Sequence, residues 1–141
     1  MKKYECLKLK NQLCFPLYAA SNAVIRKYKP FLDKLDLTYT QYLAMMVIWE
    51  KKFISVKTLG ECLFLDSGTL TPLLKKLEVK GYIERDRFEE DERMVVVSLT
   101  EKGEKLKEKA VDIPKEMAKE LNLEPKEITE LHEILYKILE R

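Results

Sequence analysis

LDSGTLTPLLKKLEVKG, residues Leu65–Gly81, is the stretch that decides how this 141-residue chain folds. Its spacing predicts one short helix. Asp66 or Ser67 can cap it, because a short side-chain oxygen accepts from a free N–H of the first turn. Gly81 stands where a helix ends in a left-handed residue. Leu70, Leu73, Leu74 and Leu77 form one apolar stripe at helical spacing. The opposite face carries Ser67, Thr69, Thr71, Lys75 and Lys76. Small hydroxyls at an N-terminus with lysines further along suit a helix that enters a DNA major groove. On this stretch alone, an ordinary surface helix fits equally well.

The neighbours decide between the two. Upstream, Ser55 opens VKTLGECLF, a short helix with Val56, Leu59 and Leu63 inward, separated from Leu65–Gly81 by a tight turn. Two short helices so joined are the helix-turn-helix pattern. Downstream the periodicity changes. Tyr82, Ile83, Arg85 and Arg87 lead to the acidic run Glu89–Glu92, then Arg93 and the β-rich Met94–Leu99. Two strands about a polar tip make a hairpin, and a hairpin after a helix-turn-helix is a wing. Four acids at the tip would repel a phosphate backbone. An arginine held by Asp91 and aimed into a minor groove meets that objection.

Further out, residues 7–28 read as a helix apolar on two adjacent faces. Leu13, Leu17, Val24 and Tyr28 mark one, and Cys14, Tyr18, Ser21 and Ile25 the other. Such a helix is covered on more than one side, and in a chain this short a second subunit is the natural cover. Pro16 interrupts it, so the helix either kinks near Gln12 or begins close to Cys14. A short turn or helix is expected over Pro30–Leu37. Thr38 or Thr40 caps YTQYLAMMVIWEK, with Tyr42, Leu43, Met46, Val47 and Trp49 inward. Thr100 caps a helix with the stripe Leu106, Ala110, Ile113, Met117 and Leu121, bent at Pro114. Pro125 opens a last helix that buries Ile128, Leu131, Leu135, Ile138 and Leu139.

The expected architecture is mainly α with a small β-hairpin wing, an obligate homodimer through its N- and C-terminal helices. Residues 1–37 and 101–141 form the dimerisation region and 38–100 the winged lobe, in one continuous domain. Residues 1–53 carry 10 basic and 4 acidic groups, and residues 54–100 carry 7 and 9. The DNA-reading segment is thus slightly acidic, so a DNA surface rests on where its Arg and Lys stand. No apolar run is long enough to cross a membrane. Three cysteines without regular spacing make no disulfide framework, which points to a reducing cytoplasm. One histidine, His132, cannot build a metal site, so no cofactor is expected.

The run LDSGTLTPLLKKLEVKGYIERDRFEEDERMVVVSLTEKG closely resembles the winged helix of MarR-type bacterial transcription regulators, most specifically in its DER, Asp91–Arg93, followed by SLTEKG. NQLCFPLYAASNAVIRKYKPFLDKLDLTYTQYLAMMVIWE resembles the organic hydroperoxide resistance branch of that family. The resemblance implies a dimeric repressor on a pseudo-palindromic double-stranded operator, released when a cysteine is oxidised by organic hydroperoxide. It places the sensing thiol at Cys14, in QLCF. Its phenol partners fall at Tyr28 and at Tyr39, the latter from the other subunit. The DNA surface then comprises Ser67, Gly68, Thr69, Thr71, Pro72, Lys75, Lys76, Arg85, Arg87, Asp91 and Arg93.

That chemistry is reasonable by itself. A thiolate attacks peroxide, phenol donors stabilise it, and the resulting sulfenic acid condenses with a second thiol, including a small one from solution, or with a backbone nitrogen. No cysteine lies beyond Cys62, so a C-terminal resolving cysteine is excluded, while Cys6, an extra thiol near the N-terminus, stays open as a resolving partner. Cys62 reads as a small core residue, and Tyr18 and Tyr42 as core or pocket-lining. Two alternatives stay open. A regulator answering a small aromatic ligand would not need Cys14. A thiol peroxidase would need turnover, for which no nucleophile elbow, Gly-rich loop or partnered histidine is present.

Overall fold

The computed structural model describes residues 2–88 and 90–140, the side chain of Glu92 excepted. Of the acidic tip, Glu89 and the Glu92 side chain therefore lie outside the described residues. The chain forms α1 (Cys14–Asp33), α2 (Tyr39–Lys51), β1 (Phe53–Ser55), α3 (Val56–Leu63), α4 (Ser67–Val79), β2 (Ile83–Phe88), β3 (Asp91–Leu99), α5 (Glu101–Ala110), α6 (Ile113–Leu121) and α7 (Pro125–Leu139). Two compact units result, residues 1–111 and 112–141.

The core of the first unit lies among α2, α3, α4 and the sheet. Met45, Ile48, Leu59, Leu70, Leu74, Leu77, Ile83 and Val97 are its largest fully buried side chains. Asp66 caps α4, accepting from the Thr69 N–H at 2.7 Å. The helix ends at Gly81, φ +85°, with Gly81 N–H on the Glu78 carbonyl and Tyr82 N–H on the Leu77 carbonyl. That pairing satisfies the last carbonyls and turns the chain sharply into β2. Gly60 makes the helix-turn-helix tight: a Cβ there would stand 2.7 Å from the Leu65 carbonyl oxygen.

The sheet order is β1-β3-β2, all antiparallel, with Ile54 opposite Val97 and Arg85 opposite Val97 on the other side. Strand β1 is not expected from the sequence. Three residues between two helices carry too little alternation to announce a strand, and only pairing with β3 defines it. The wing strand β3 also begins three residues earlier than Met94, at Asp91.

Several other expectations change. Residues 7–13 are not α-helical; two 3-10 turns, Glu5–Leu7 and Leu9–Asn11, precede α1. Pro16 is the third residue of α1, where its missing N–H has no helical partner to lose. The helix then continues past Pro30 to Asp33, so no separate element starts there. On α2 the buried face is Gln41, Tyr42, Ala44, Met45, Ile48 and Trp49, while Met46 is exposed and Leu43 and Val47 half-buried. That helix is apolar almost all round, so periodicity alone cannot say which side faces in. Its cap is Thr38, in a reciprocal box with Gln41. The helix after Thr100 breaks at Val111–Asp112, and Pro114 falls in the first turn of α6 instead of bending one long helix. Cys62 is exposed, not core, and so is Tyr18.

The terminal helices bury little. Leu32 is the one buried residue of α1, and α7 has none among the described residues. Leu13 just before α1, and Phe15, Leu17, Tyr18 and Ile25 on it, stand exposed. On α7 Ile128, Leu131, Ile134, Tyr136, Ile138 and Leu139 are exposed and Leu135 is half-buried. The expectation that α7 buries its stripe does not hold within one chain. No described helix is long and apolar enough to cross a membrane.

Candidate DNA-reading face and cysteine–tyrosine site

The four leucines of α4 are all buried, which turns its other side outward. Ser67, Gly68, Thr69, Pro72, Lys75 and Lys76 are exposed and Thr71 is half-buried. The Thr71 hydroxyl donates back to the Ser67 carbonyl at 2.8 Å. Pro72 has no N–H to give the carbonyl one turn earlier, which leaves a backbone acceptor at Gly68. Beside this face an open groove of about 400 Å³ is lined by Thr38, Gln41, Lys75, Lys76, Val79 and Lys80. Lys80 bonds across it to Gln41 Oε1 at 3.2 Å and to the Asp36 carbonyl.

The three wing arginines differ. Arg85 is turned inward: its backbone N–H and its guanidinium Nη2 each meet the Glu78 carboxylate at 3.1 Å. That pair joins the end of α4 to β2. The Arg85 guanidinium and N–H hold the Glu78 carboxyl below its ordinary range. Arg87 is exposed on β2. Arg93 points into solvent, its side chain 93% exposed, while its N–H and Nε–H both donate to Asp91 Oδ1 at 3.0 and 3.3 Å. The Asp91–Arg93 pairing expected from sequence is present. The carboxylate orients the stem of the side chain and leaves its far nitrogens outward.

The tyrosines gather at the junction of α1 and α2. The Tyr28 and Tyr39 rings lie 4.8 Å apart, and Tyr28 and Tyr42 lie 5.8 Å apart. Tyr42 meets Trp49 edge-on at 6.5 Å, and the Trp49 indole N–H donates to the Gly103 carbonyl at 2.8 Å. Burial pushes all three phenols up, Tyr42 to about 12. They remain protonated donors through the physiological range. Trp49 and Gly103 tie this cluster to the base of the wing, a link that sequence reading did not find.

Cys14 is the first residue of α1 and is exposed. It and Tyr28 are 14 residues apart on one continuous helix, which at 1.5 Å per residue puts them about 21 Å apart. The expectation that Tyr39 alone comes from the other subunit, with Tyr28 reaching Cys14 within one chain, therefore does not hold. The two phenols belong together, and Cys14 of the same chain is remote from both. Among the described residues no group of three His, Cys, Asp or Glu could hold a metal ion.

Helix-turn-helix, Schellman turn and arginine-bearing wing together define a winged helix-turn-helix protein. The family model described as transcriptional regulator SarA/Rot matches residues 26–110. The chain is 52% identical to the organic hydroperoxide resistance transcriptional regulator of Bacillus subtilis, over 98% of this chain and 94% of that protein. It is 44% identical to the HTH-type transcriptional regulator SarZ of Staphylococcus saprophyticus, over 94% and 91%. Among solved structures, reduced AbfR of Staphylococcus epidermidis bound to DNA superposes with a TM-score of 0.80 at 33% identity, covering 98% of this chain and 96% of that one. AbfR has also been solved in a disulfide form, 34% identical with a TM-score of 0.66 over 98% and 97%. This chain belongs to the MarR/SarA-type family of winged-helix transcriptional regulators, a non-enzymatic class.

Proposed function

We propose that this chain is a dimeric repressor that leaves its operator when Cys14 is oxidised by an organic hydroperoxide. The observation that carries the reading is the Tyr28–Tyr39 pair, 4.8 Å apart and a helix length from the Cys14 of its own chain. Two protonated phenols side by side form a ready donor pair for a thiolate. A second copy, docked against the exposed apolar sides of α1 and α7, would bring its own Cys14 to them. Residues 1–37 and 101–141 then serve dimerisation and 38–100 DNA binding. Each phenol bond to a charged sulfur is worth about 1.5–3 kcal/mol. Losing them on oxidation biases a dimer between two arrangements.

In this reading the DNA contacts come from Ser67, Gly68, Thr69, Thr71, Pro72, Lys75 and Lys76 in the major groove and from Arg87 and Arg93 on the wing. Asp91 aims Arg93, and Arg85 holds the wing on α4 through Glu78. A two-fold dimer must present two copies of α4 about 34 Å apart, one turn of duplex. The organic hydroperoxide resistance regulator of Bacillus subtilis supports the choice of oxidant.

The test titrates a labelled operator with reduced protein, hydroperoxide-treated protein and Cys14→Ser, alongside light scattering for the dimer. Reduced protein binds, treated wild type releases, and Cys14→Ser stays bound after treatment. If Cys14→Ser also releases, the thiol sensor is wrong and a ligand-responsive regulator replaces it.

A further inference from the structure

We infer that Cys6 is the resolving thiol for Cys14 and closes an intrachain disulfide with it; the inference rests on Cys14 being the oxidised residue. Two thiols lie eight positions apart, and both are free and exposed. The intervening segment is folded back on itself. The Gln12 side-chain amide donates to the Cys6 carbonyl, and the Asn11 amide donates to the Glu5 carbonyl at 2.8 Å. Cys14 follows Gln12 by two residues, at most about 7 Å of extended chain. The clasp therefore ties the Cys6 main chain to the residue two positions before Cys14.

A disulfide needs the two Cα atoms within about 4.4–6.8 Å. Closing the remaining distance costs little here. Residues 2–12 contain no buried side chain, and their only regular structure is two three-residue 3-10 turns. No core packing has to break. A thiol on so short a tether acts at an effective concentration in the millimolar range. It competes directly with any small thiol from solution.

The chemistry balances in two steps. The Cys14 thiolate attacks one peroxide oxygen, the O–O bond breaks, and the alkoxide leaves and takes a proton as the alcohol. Sulfur is oxidised by two electrons to the sulfenic acid. The Cys6 thiolate then attacks the Cys14 sulfur, the S–O bond breaks, and hydroxide leaves with the Cys6 proton as water. Two thiols and one organic hydroperoxide become a disulfide, an alcohol and water.

Lys8 and Lys10 lie between the thiols, so trypsin separates them into Tyr4–Lys8 and Asn11–Arg26. Only a disulfide keeps those peptides together. The full-length protein is treated with one equivalent of cumene hydroperoxide without added thiol, with dimedone present to trap sulfenic acid, and digested without reduction. Wild type and Cys62→Ser should give the linked peptide pair, a monomer on a non-reducing gel, and little dimedone adduct. Cys6→Ser should carry the adduct on Cys14 as the main product. After excess peroxide, dithiothreitol should restore DNA binding to wild type but not to Cys6→Ser, whose Cys14 advances to sulfinic acid. Equal adduct in wild type and Cys6→Ser, a Cys14–Cys62 link or a disulfide-bonded dimer overturns the inference and leaves the Cys14 sensor standing. Cys14 left as free thiol after treatment overturns both.

Discussion

Tyr28 and Tyr39 stand ring to ring at 4.8 Å, although one lies late in α1 and the other opens α2. The turn between them is fixed by Leu35 and Leu37, both buried, with Asp36 in a left-handed conformation at φ 54°. Two phenols are thereby held as neighbours within a single chain. A preformed donor pair loses less entropy on meeting a thiolate than two separately ordered side chains would.

Tyr39→Phe removes one donor and keeps the ring. Reduced protein should still bind operator, since neither phenol lies on α4 or the wing. The rate of thiol oxidation by hydroperoxide should fall about tenfold or more, the value of one bond to a charged sulfur. Stopped-flow loss of free thiol measures it. An unchanged rate would show that Tyr39 does not touch the reacting sulfur.

Arg93→Ala should weaken operator binding by about 1–3 kcal/mol and relax sequence preference near the site ends. Lys75→Ala should lower affinity for operator and random DNA alike and reduce the salt slope by about one. Anisotropy titrations at several salt concentrations separate the two behaviours.

Gly103→Ala addresses the joint between the aromatic cluster and the wing. A Cβ at Gly103 would sit 2.2 Å from the Tyr82 carbonyl oxygen and 2.8 Å from Leu99 Cδ1. Both neighbours are constrained, so the backbone must shift, at a cost of about 1–3 kcal/mol. Urea unfolding measures the loss. Trp49 is the single tryptophan and donates to the Gly103 carbonyl, so its emission should change as well.

Glu78→Gln tests the tie between α4 and the wing. The Glu78 carboxyl is held below 4.5 by Arg85, side-chain hydrogen bond first. A lowered carboxyl contributes stability above its unfolded value and loses it as pH falls through the folded one. The wild type should therefore exceed the variant in stability above pH 5, and the gap should close on acidification below 4.5. Denaturant midpoints of both proteins across pH 3–7 give the comparison. A gap independent of pH would mean that the Glu78 charge is not what holds Arg85.

Much of the winged lobe was legible in the sequence because its signals are local. Asp66, the four leucines and Gly81 each act within one or two turns of α4, so cap, stripe and stop can be read from spacing. The Asp91–Arg93 pair is equally local, two residues apart on one strand. What misled was always a matter of partners. YTQYLAMMVIWEK is apolar on nearly every side, and only packing against α3, α4 and the sheet chose Met45 and Ile48 over Met46 and Val47. Cys62 looked like core between Leu59 and Leu63, yet an eight-residue helix has room to bury one narrow face, and Cys62 fell outside it.

By itself, then, the sequence determined the helix-turn-helix and the wing, since short-range hydrogen bonding and periodicity specify each, while the start of α1 at Cys14 was left open between two readings. Tertiary structure alone decided that Tyr28 and Tyr39 share one site, that Cys14 of the same chain lies a helix length away, and that Trp49 reaches Gly103. Those are distances between residues far apart in the chain or fixed by how far a helix continues. No pattern of neighbouring residues encodes them, because the packing of α1, α2 and α5 sets them.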